Sequence, residues 1–484
     1  MLVGMMVVSA SAASYNDLTD KDQIVNKDAV SMLVSLGIIE GKPDGSYGPT
    51  ENVDRAQMAK MLSVIMNKGV DNSALYQSVN SGLVDVNTNW AKGHINYCYT
   101  TGIIAGRGNG TFDPSATVTA LEAAKMLLVA VGYDPAIEGF EGADWAINVS
   151  VRADEQGIFE GFTKDLSAPL NRDDAALLIY NALDVEMIQS YTTNNYPIAY
   201  SDHRTILADK YGVIKVQGVV VANEWASLAS DDGDAALKEG KTTIYNGEGI
   251  FSTTGNTTVS KEDASLKTQT FNVSTPVDML GKTVNLYIKK TTILADSTVY
   301  GDPVVSDVNT VVTTGETVLY SGAKDPQVDY DKLLGENGLT DKDAKYFWNY
   351  NSGKYIPNTT EKYGDKTANV KGATLTIIDN NGDGEVDYVL SVEKALADIT
   401  SVNSKKETVT IRTLGTLDNK DVVGYEDMAK EDVVLYVQYG GRTYLEKPEV
   451  VTGEMEHFNV KGTEKYMTVG GEKYKADELE TNAR

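Results

Sequence analysis

The segment whose residue types and spacing speak most directly of chemistry is Asp379-Asn-Asn381-Gly-Asp383-Gly384-Glu385-Val-Asp387. Oxygen-bearing side chains alternate along it and glycine holds the sixth position, as in the first part of a calcium-binding loop. In that reading Asp379, Asn381, Asp383 and Asp387 supply side-chain oxygens and Glu385 its carbonyl, with an affinity of roughly 10⁻⁴–10⁻³ M. The twelfth position is Leu390, so the usual bidentate glutamate is missing. The flanks, 373–378 and 386–392, read as strands, and a metal-free Asx-rich hairpin turn fits the same residues. Both readings stay open at this level. A second cluster, Tyr346-Phe-Trp348-Asn-Tyr350 with Tyr355 nearby, is either a platform for sugar rings or a strand with one face in a core.

No catalytic set emerges. There is no His-Glu-x-x-His, no Gly-x-Ser-x-Gly and no phosphate loop. The histidines are His94, His203 and His457, and the one cysteine is Cys98. That excludes an intramolecular disulfide and a cysteine-based zinc site. Cys98, between Tyr97 and Tyr99 on a helical pattern, reads as a small core residue. With 69 Asp and Glu residues, a glycosidase carboxylate pair about 5–9.5 Å apart stays open as an alternative.

The net charge of −26 argues against nucleic acid and anionic lipid as partners, since both need a basic footprint. The 27 tyrosines, against 8 phenylalanines, fit β-rich surfaces where the ring packs and the hydroxyl meets water. Residues 1–13 are apolar and then small, ending in Ala10-Ser11-Ala12-Ala13. They read as part of a secretory signal peptide, too short to span a bilayer. No later run has 18 consecutive apolar residues, so no membrane span is expected.

The elements behind any site begin with an internal repeat. Leu36-Gly-Ile-Ile-Glu-Gly-Lys-Pro-Asp-Gly-Ser-Tyr-Gly-Pro49 recurs 65 residues later as Thr101-Gly-Ile-Ile-Ala-Gly-Arg-Gly-Asn-Gly-Thr-Phe-Asp-Pro114. A third copy, Gln156-Gly-Ile-Phe-Glu-Gly-Phe-Thr-Lys-Asp-Leu-Ser-Ala-Pro169, lies 55 residues further on. Each copy lies between two helical patterns. The leading helices carry Val25, Ala29, Val30 and Leu33, then Trp90, Ile95 and Tyr99, then Trp145, Val149 and Ala153 on their inward faces. Gly37, Gly102 and Gly157 stand where a helix ends with positive φ. Asp54, Thr119 and Asn171 are N-caps of the second helices. A unit of roughly 55–65 residues buries little alone, so the three copies are expected to pack on one another.

This pattern resembles the S-layer homology domain, a bacterial cell-wall anchoring module usually found in threes. The likeness covers about residues 15–190. It rests on the Trp-led helix, Gly-Ile-Ile-x-Gly, Asp/Asn-Gly-x-Tyr/Phe-x-Pro and the closing Thr-Arg-Ala-Glu-like helix start. It implies docking to a secondary cell-wall polysaccharide, often pyruvylated and so carrying carboxylates. In the family the closing arginine belongs to grooves between repeats. Copy one has Asp54-Arg55-Ala56-Gln57, copy two Thr119-Ala120-Leu121-Glu122 and copy three Asn171-Arg172-Asp173-Asp174. The role therefore carries over to Arg55 and Arg172, with Asp54 and Gln57 beside them, and fails at Ala120. An arginine fork takes a carboxylate through two charge-assisted hydrogen bonds. Arg107 and Lys42, in the loops, add charge. Trp90 and Trp145 either stack on sugars or fill the core.

Beyond 190 the texture changes. Tyr191-Thr-Thr-Asn-Asn-Tyr-Pro197 reads as a linker, then short Val/Ile/Thr/Tyr runs alternate with polar turns, including Gly440-Gly441 and Gly470-Gly471. Residues 325–345 read as a polar insertion. The expected architecture is multidomain α plus β. A pseudo-threefold helical S-layer homology trimer (15–78, 79–134 and 135–190) precedes two or three antiparallel all-β domains (191–300, 301–395 and 396–484). The expected function is a non-enzymatic cell-surface or S-layer protein with its β domains displayed outward, either self-associated in a lattice or as an adhesive or spacer segment. A displayed glycosidase or wall hydrolase and a carbohydrate-binding adhesin are the alternatives.

Overall fold

The computed structural model describes residues 15–228, 236–247, 267–289, 297–314, 327–328, 330–352, 368–369, 373–450, 452–461 and 464–476. The signal-like residues 1–13 and Tyr355 lie outside the described residues.

Six helices form the N-terminal region, two for each sequence copy: α1 (Lys27–Ser35) and α2 (Arg55–Met66), α3 (Lys92–Thr100) and α4 (Ala120–Val131), α5 (Trp145–Glu155) and α6 (Arg172–Leu183). The chain leaves the leading helices through Gly37, Gly102 and Gly157, with φ of 69°, 78° and 69°, where a side chain would be strained. The second helices start on the caps that the sequence indicates. Asp54 and Thr119 each close a reciprocal capping box, with Gln57 and Glu122, and Asn171 accepts from the amide of Asp174. Each cap contributes about 1 kcal/mol. One apolar core runs through all six helices, with Val30, Leu33, Met58, Leu62, Ile95, Cys98, Leu127, Val149 and Ile179 in it. Val25 does not face this core. It is 82% exposed, because it precedes α1, where Asp173 holds the backbone amides of Val25 and Asn26.

Three short bridges tie the copies together, Asn52 to Asn171, Asp54 to Thr117 and Thr119 to Pro169. Their hydrogen bonds form a closed ring. Val53 N donates to Leu170 O (2.8 Å), Leu170 N to Val118 O (2.8 Å) and Val118 N to Val53 O (2.9 Å). In the first two copies the loop is also pinned by a carboxylate. Asp20 accepts from the amides of Tyr47 and Gly48, and Asp85 from those of Phe112 and Asp113.

The segment read as a linker is a hairpin, β1 (Ile188–Tyr191) and β2 (Pro197–Ala199). Tyr191 sits in it because its hydroxyl accepts from Asp134 N and donates to Glu138, which docks the hairpin on the third copy. Next come β3 (Val213–Asn223), β4 (Thr242–Tyr245), β5 (Thr268–Phe271), β6 (Thr283–Lys289) and β7 (Thr298–Val305), in sheet order β5-β4-β3-β6-β7. Strand β7 crosses residue 300, where the sequence suggested a boundary. Then come β8 (Thr310–Thr314), β9 (Gln327–Val328), α7 (Tyr330–Glu336), β10 (Lys345–Trp348), β11 (Asn351–Ser352), β12 (Ala368–Asn369), β13 (Ala373–Asp379) and β14 (Tyr388–Glu393). The second sheet is ordered β11-β10-β14-β13-β8, and β9 pairs with β12. The third sheet joins β15 (Ala395–Asn403), β16 (Thr408–Ile411), β17 (Gly415–Asp418), β18 (Val422–Val423), β19 (Val433–Tyr439) and β20 (Arg442–Glu446), in order β17-β16-β15-β19-β20-β18. A last sheet holds β21 (Met455–Lys461), β22 (Glu464–Val469) and β23 (Glu472–Ala476).

The β region is not purely antiparallel. Strand β10 runs parallel to β14, and β18 parallel to β20. The long connections between these strands return the chain to the same end of the sheet, which a parallel pair requires. The double glycines do make tight hairpins, with φ of 57° and 75° at 440–441 and of 57° and 84° at 470–471.

Burial alone would raise the Asp20 and Asp85 carboxyls, but the amides they hold bring both below the ordinary value of 3.8. A depressed folded pKa stabilises fully above the unfolded value and is lost as pH falls through the folded one. Asp20→Asn and Asp85→Asn are therefore expected to lower the thermal midpoint at pH 6, with the gap to wild type closing as pH falls below about 4. A scan of melting temperature against pH checks this.

Candidate functional site: two related grooves between repeats

The ring of backbone bonds places the first residue of each second helix against the loop of a neighbouring copy. Arg55 opens α2 and reaches the second copy's loop, where Nε donates to Phe112 O (2.9 Å) and Nη2 to Ala105 O (3.0 Å). Its guanidinium lies 4.4 Å from the Phe112 ring centre. Arg172 opens α6 and does the same to the first copy's loop, with Nε on Tyr47 O (2.8 Å), Nη2 on Glu40 O (3.3 Å) and the Tyr47 ring 4.7 Å away. Both arginines thus spend much of their forks on loop carbonyls. Arg55 is only 4% exposed. Burial, and Arg107 beside it, lower its pKa, while Glu122, Asp113 and Asp85 pull it back.

Ala120 stands at the corresponding position of α4, and the third copy compensates from within. Asn181 of α6 donates to Ile158 O (3.1 Å) and Glu160 O (2.9 Å). Glu160 matches Glu40 and Ala105 in the loop pattern, so an amide replaces a guanidinium as the loop's tether.

Two grooves result. The first, about 320 Å³, is lined by the Gly37–Lys42 loop, Gln57, Lys60 and Met61 of α2, Asp71, Trp90 and Arg172. The second, about 520 Å³, is lined by 103–108, Glu122, Lys125 and Met126 of α4, Glu141, Trp145 and Arg55. They share one plan: a loop, a helix presenting a lysine and a methionine, a tryptophan from the next copy and an arginine from another. Trp90 is a groove wall and not a core residue; it is 58% exposed, since it precedes α3 and projects across the first loop. Trp145 is half-buried, with Lys125 Nζ 5.7 Å from its ring centre. Lys60 and Lys125 were not singled out from the sequence. Their signal was there, because the 65-residue offset maps one onto the other.

The other sequence candidates fall into place around the grooves. Gln57 lines the first groove, but Asp54 is spent as the cap of α2, accepting from Gln57 N (2.7 Å). Lys42 reaches the first groove and pairs with Glu51. Arg107 lines the second and pairs with Glu122 (3.0 Å) and Asp113 (3.7 Å). Beneath the first groove, Ser63 Oγ lies 2.6 Å from His94 Nδ1, and Asp71 lies 3.6 Å from His94 Nε2. Ser63 and His94 are buried, and Ser63 also donates to Lys60 O, so this trio is a strut and no substrate meets the serine.

In the 379–387 loop the oxygens turn onto the loop's own backbone. Asp379 accepts from the amides of Asn381, Gly382 and Gly384, Asn381 from Asp383 N, Asp383 from Glu385 N, and Asp387 from Asn380 N. The Glu385 side chain pairs with Lys342. Asn380 carries the loop onto the first sheet, its side chain donating to Gly281 O and its carbonyl accepting from Thr283 Oγ. Among the described residues, no group of three or more acidic, histidine or cysteine side chains is arranged to hold a metal ion.

The aromatic run at 346–350 is not an open platform. Phe347 is buried in a core, the Tyr346 and Tyr330 hydroxyls both donate to Asp341, and Tyr350 packs edge-on against Tyr439. Tyr439 stacks on Tyr444, whose ring meets Trp225, just beyond β3 of the first sheet. These rings join three sheets.

The profile of the S-layer homology domain matches residues 14–59 and 84–124, which contain the first two copies' loops and the starts of α2 and α4. A cell surface protein of Thermoanaerobacter kivui is 28% identical over 250 residues, 51% of this chain and 30% of that protein. A surface-layer 125 kDa protein of Lysinibacillus sphaericus is 24% identical over 392 residues, 78% of this chain and 30% of that protein. Exoglucanase XynX of Acetivibrio thermocellus is 29% identical over 192 residues, 37% of this chain and 17% of that protein. The chain thus spans less than a third of the length of these relatives.

Because Arg55 is buried and satisfies two carbonyls, Arg55→Ala is expected to cost ~2–4 kcal/mol of stability. Arg172→Ala, half-exposed, is expected to cost less than half as much. Urea unfolding of the full chain measures both.

Proposed function

We propose that this chain is a non-enzymatic cell-surface protein whose helical module docks on an anionic secondary cell-wall polysaccharide and whose β sheets are displayed outward. Its S-layer homology segments place it at the cell wall or surface layer. The observation that carries the ligand reading is the shared plan of the two grooves, in which cations and a tryptophan converge on a concave surface between copies. A tryptophan face packs on a sugar ring, and nearby lysine and arginine donors suit a carboxylate such as a pyruvyl ketal. We take the third copy as a further S-layer homology unit, supported by its matching loop, helix pair and bridges. The three units then sit about a pseudo-threefold axis at the ring of Val53, Val118 and Leu170.

At the positions matching the groove cations the third unit has Ala120 for the arginine, Leu177 for the lysine and Phe162 for Lys42 or Arg107. We infer that it does not take an anionic sugar. The enzyme alternative finds no support in the Ser63–His94–Asp71 trio, and the similarity to an exoglucanase takes in only 17% of that protein, a share that a common anchor would account for. The adhesin alternative loses its exposed platform at 346–350. Assembly with further copies into a surface lattice fits the acidic surface, where divalent ions would offset repulsion.

For 379–387 we favour the metal-free clasp over the calcium loop, because its oxygens already hold backbone amides. With a Kd of about 1 mM, 10 mM calcium would stabilise the protein by ~1.4 kcal/mol. The clasp predicts no calcium-dependent rise in melting temperature; a rise lost in Asp383→Ala would restore the calcium reading.

The docking reading is tested by co-sedimentation of the full chain with purified cell wall, with and without its attached polymer. Lys60→Ala with Trp90→Ala is expected to weaken polymer-dependent binding at least tenfold, and rising salt to weaken it further, since exposed charge contacts are screened. Binding that ignores the polymer, or survives the double variant together with Lys125→Ala and Trp145→Ala, overturns it.

A further inference from the structure

The repeat offsets align Ser31 of α1, Asn96 of α3 and Val151 of α5 as one position of the three leading helices. In the first copy β7 covers it. Ser31 is buried and donates to Asp302 Oδ2 (3.4 Å), and Gly301 brings the strand so near that a Cβ there would lie 3.3 Å from Met32 Cα. In the second copy the turn at 73–76 and the residues after it cover the position. Asn96 is buried and donates to Tyr76 O (2.9 Å) and Val79 O (2.8 Å). In the third copy the position is open and yet apolar. Val151 is 54% exposed, and Ile147, one turn before it on the same side of α5, is 66% exposed. Polar side chains are thus buried where a cover exists, and apolar ones meet solvent where it does not. That inversion marks a face built for a cover from outside the module. Asp144 and Asp154, both exposed, stand near its two ends, while Arg152 pairs with Glu138 and Glu155.

The last sheet has the complementary need. Phe458, Met467 and Tyr474 are cross-strand partners on β21, β22 and β23, so they share one side of it, and Met455 opposite Val469 extends that side. The other side carries Tyr466, Thr468 and Lys473, with the lysine over the Tyr466 ring. Met455, Phe458 and Tyr474 are exposed, and among the described residues no side chain of this sheet is buried. A small sheet with one apolar side gains its stability by packing that side. Residues 455–476 carry four lysines against three glutamates, in a chain of net charge −26. An acidic helix meets this sheet with less repulsion than it meets the rest of the chain.

We infer that the Ile147–Val151 face of α5 in one molecule docks on the Phe458–Met467–Tyr474 side of the last sheet in a second molecule of this protein. Both faces are open in the same molecule, so they meet only between molecules. A helix laid on a sheet is an ordinary way for two such elements to bury apolar surface, and the first copy already holds a strand of this chain at the matching position. The two faces differ, so the contact is head-to-tail and propagates into a ring or an open array. The inference rests on the lattice reading above, names the surfaces that carry it, and is independent of the polysaccharide.

The test is sedimentation velocity of the full chain at rising concentration with calcium ions present. Wild type is expected to grow beyond a dimer. Val151→Lys sets a cation against the lysine-bearing sheet, and Phe458→Glu sets an anion against the acidic helix. Each alone is expected to stay monomeric. Val84→Lys, at an exposed site of the second copy, is expected to assemble like wild type. An equimolar mixture of the Val151→Lys and Phe458→Glu chains is expected to stop at a dimer, because each chain supplies the face that the other lacks. Circular dichroism melts check that every variant is folded, and Tyr474→Glu replaces Phe458→Glu if that chain unfolds. If either variant grows like wild type, or the mixture stays monomeric, these two faces do not meet and the inference is wrong while the lattice stands. Loss in the sheet variant alone has the same meaning, with the sheet pairing to its own kind. If wild type stays monomeric throughout, the lattice reading falls and takes the inference with it.

Discussion

Three backbone hydrogen bonds, from Val53 to Leu170, from Leu170 to Val118 and from Val118 back to Val53, close a ring among the three helical copies. Each residue both donates and accepts, so no copy can shift without opening a bond at each of its neighbours. Unpaired buried amides and carbonyls are costly, and the ring is therefore a strong constraint on how the copies meet. It sets where each second helix begins, and hence where Arg55, Ala120 and Arg172 point. The grooves are a consequence of that placement.

The two arginines show how one side chain can both brace a loop and border a groove. A guanidinium has five donors in a fixed fork, enough to hold two loop carbonyls, pack on an aromatic ring and still border a groove. Arg55 and Arg172 do this across different copies, so the shape of each groove depends on a residue distant in sequence. Where the arginine is replaced by Ala120, Asn181 holds the matching Glu160 carbonyl, together with that of Ile158. The loop keeps its position, but no positive charge stands beside it.

The helical module is not loosely tethered to the β region. Ser31 and Ser35 of α1 hydrogen-bond to Asp302 and Gly301 of β7, Tyr180 meets Tyr287 at 3.0 Å, and Lys215 pairs with Asp184. Val213 and Tyr287 belong to the same apolar core as the six helices. The first sheet is thus fixed to the module by packing as well as by the chain. The 379–387 clasp and the ring stack at Trp225, Tyr350, Tyr439 and Tyr444 then join the second and third sheets to it. Force on the β sheets would pass through packed contacts into the helical module.

Much of this architecture is written locally. The helix starts at Asp54, Thr119 and Asn171, the left-handed glycines, the tight double-glycine turns and the repeat itself each depend on a few neighbouring residues, so spacing alone determines them. Residues whose meaning depends on a distant partner were not legible in that way. Trp90 read more readily as core than as groove, because helical spacing cannot tell which copy a ring will face. Tyr191 looked like linker, because its hydroxyl partners lie more than fifty residues away. The parallel pairs β10 with β14 and β18 with β20 arise from long returns of the chain. The sequence by itself determined three helix–loop–helix units, their caps and a β-rich remainder. Only the tertiary structure decided that Arg55 and Arg172 serve other copies' loops, and that Glu122 meets the guanidinium groups of Arg55 and Arg107. Hydrogen bonds and ion pairs act over a few ångströms of space, and chain order does not fix which residues come that close.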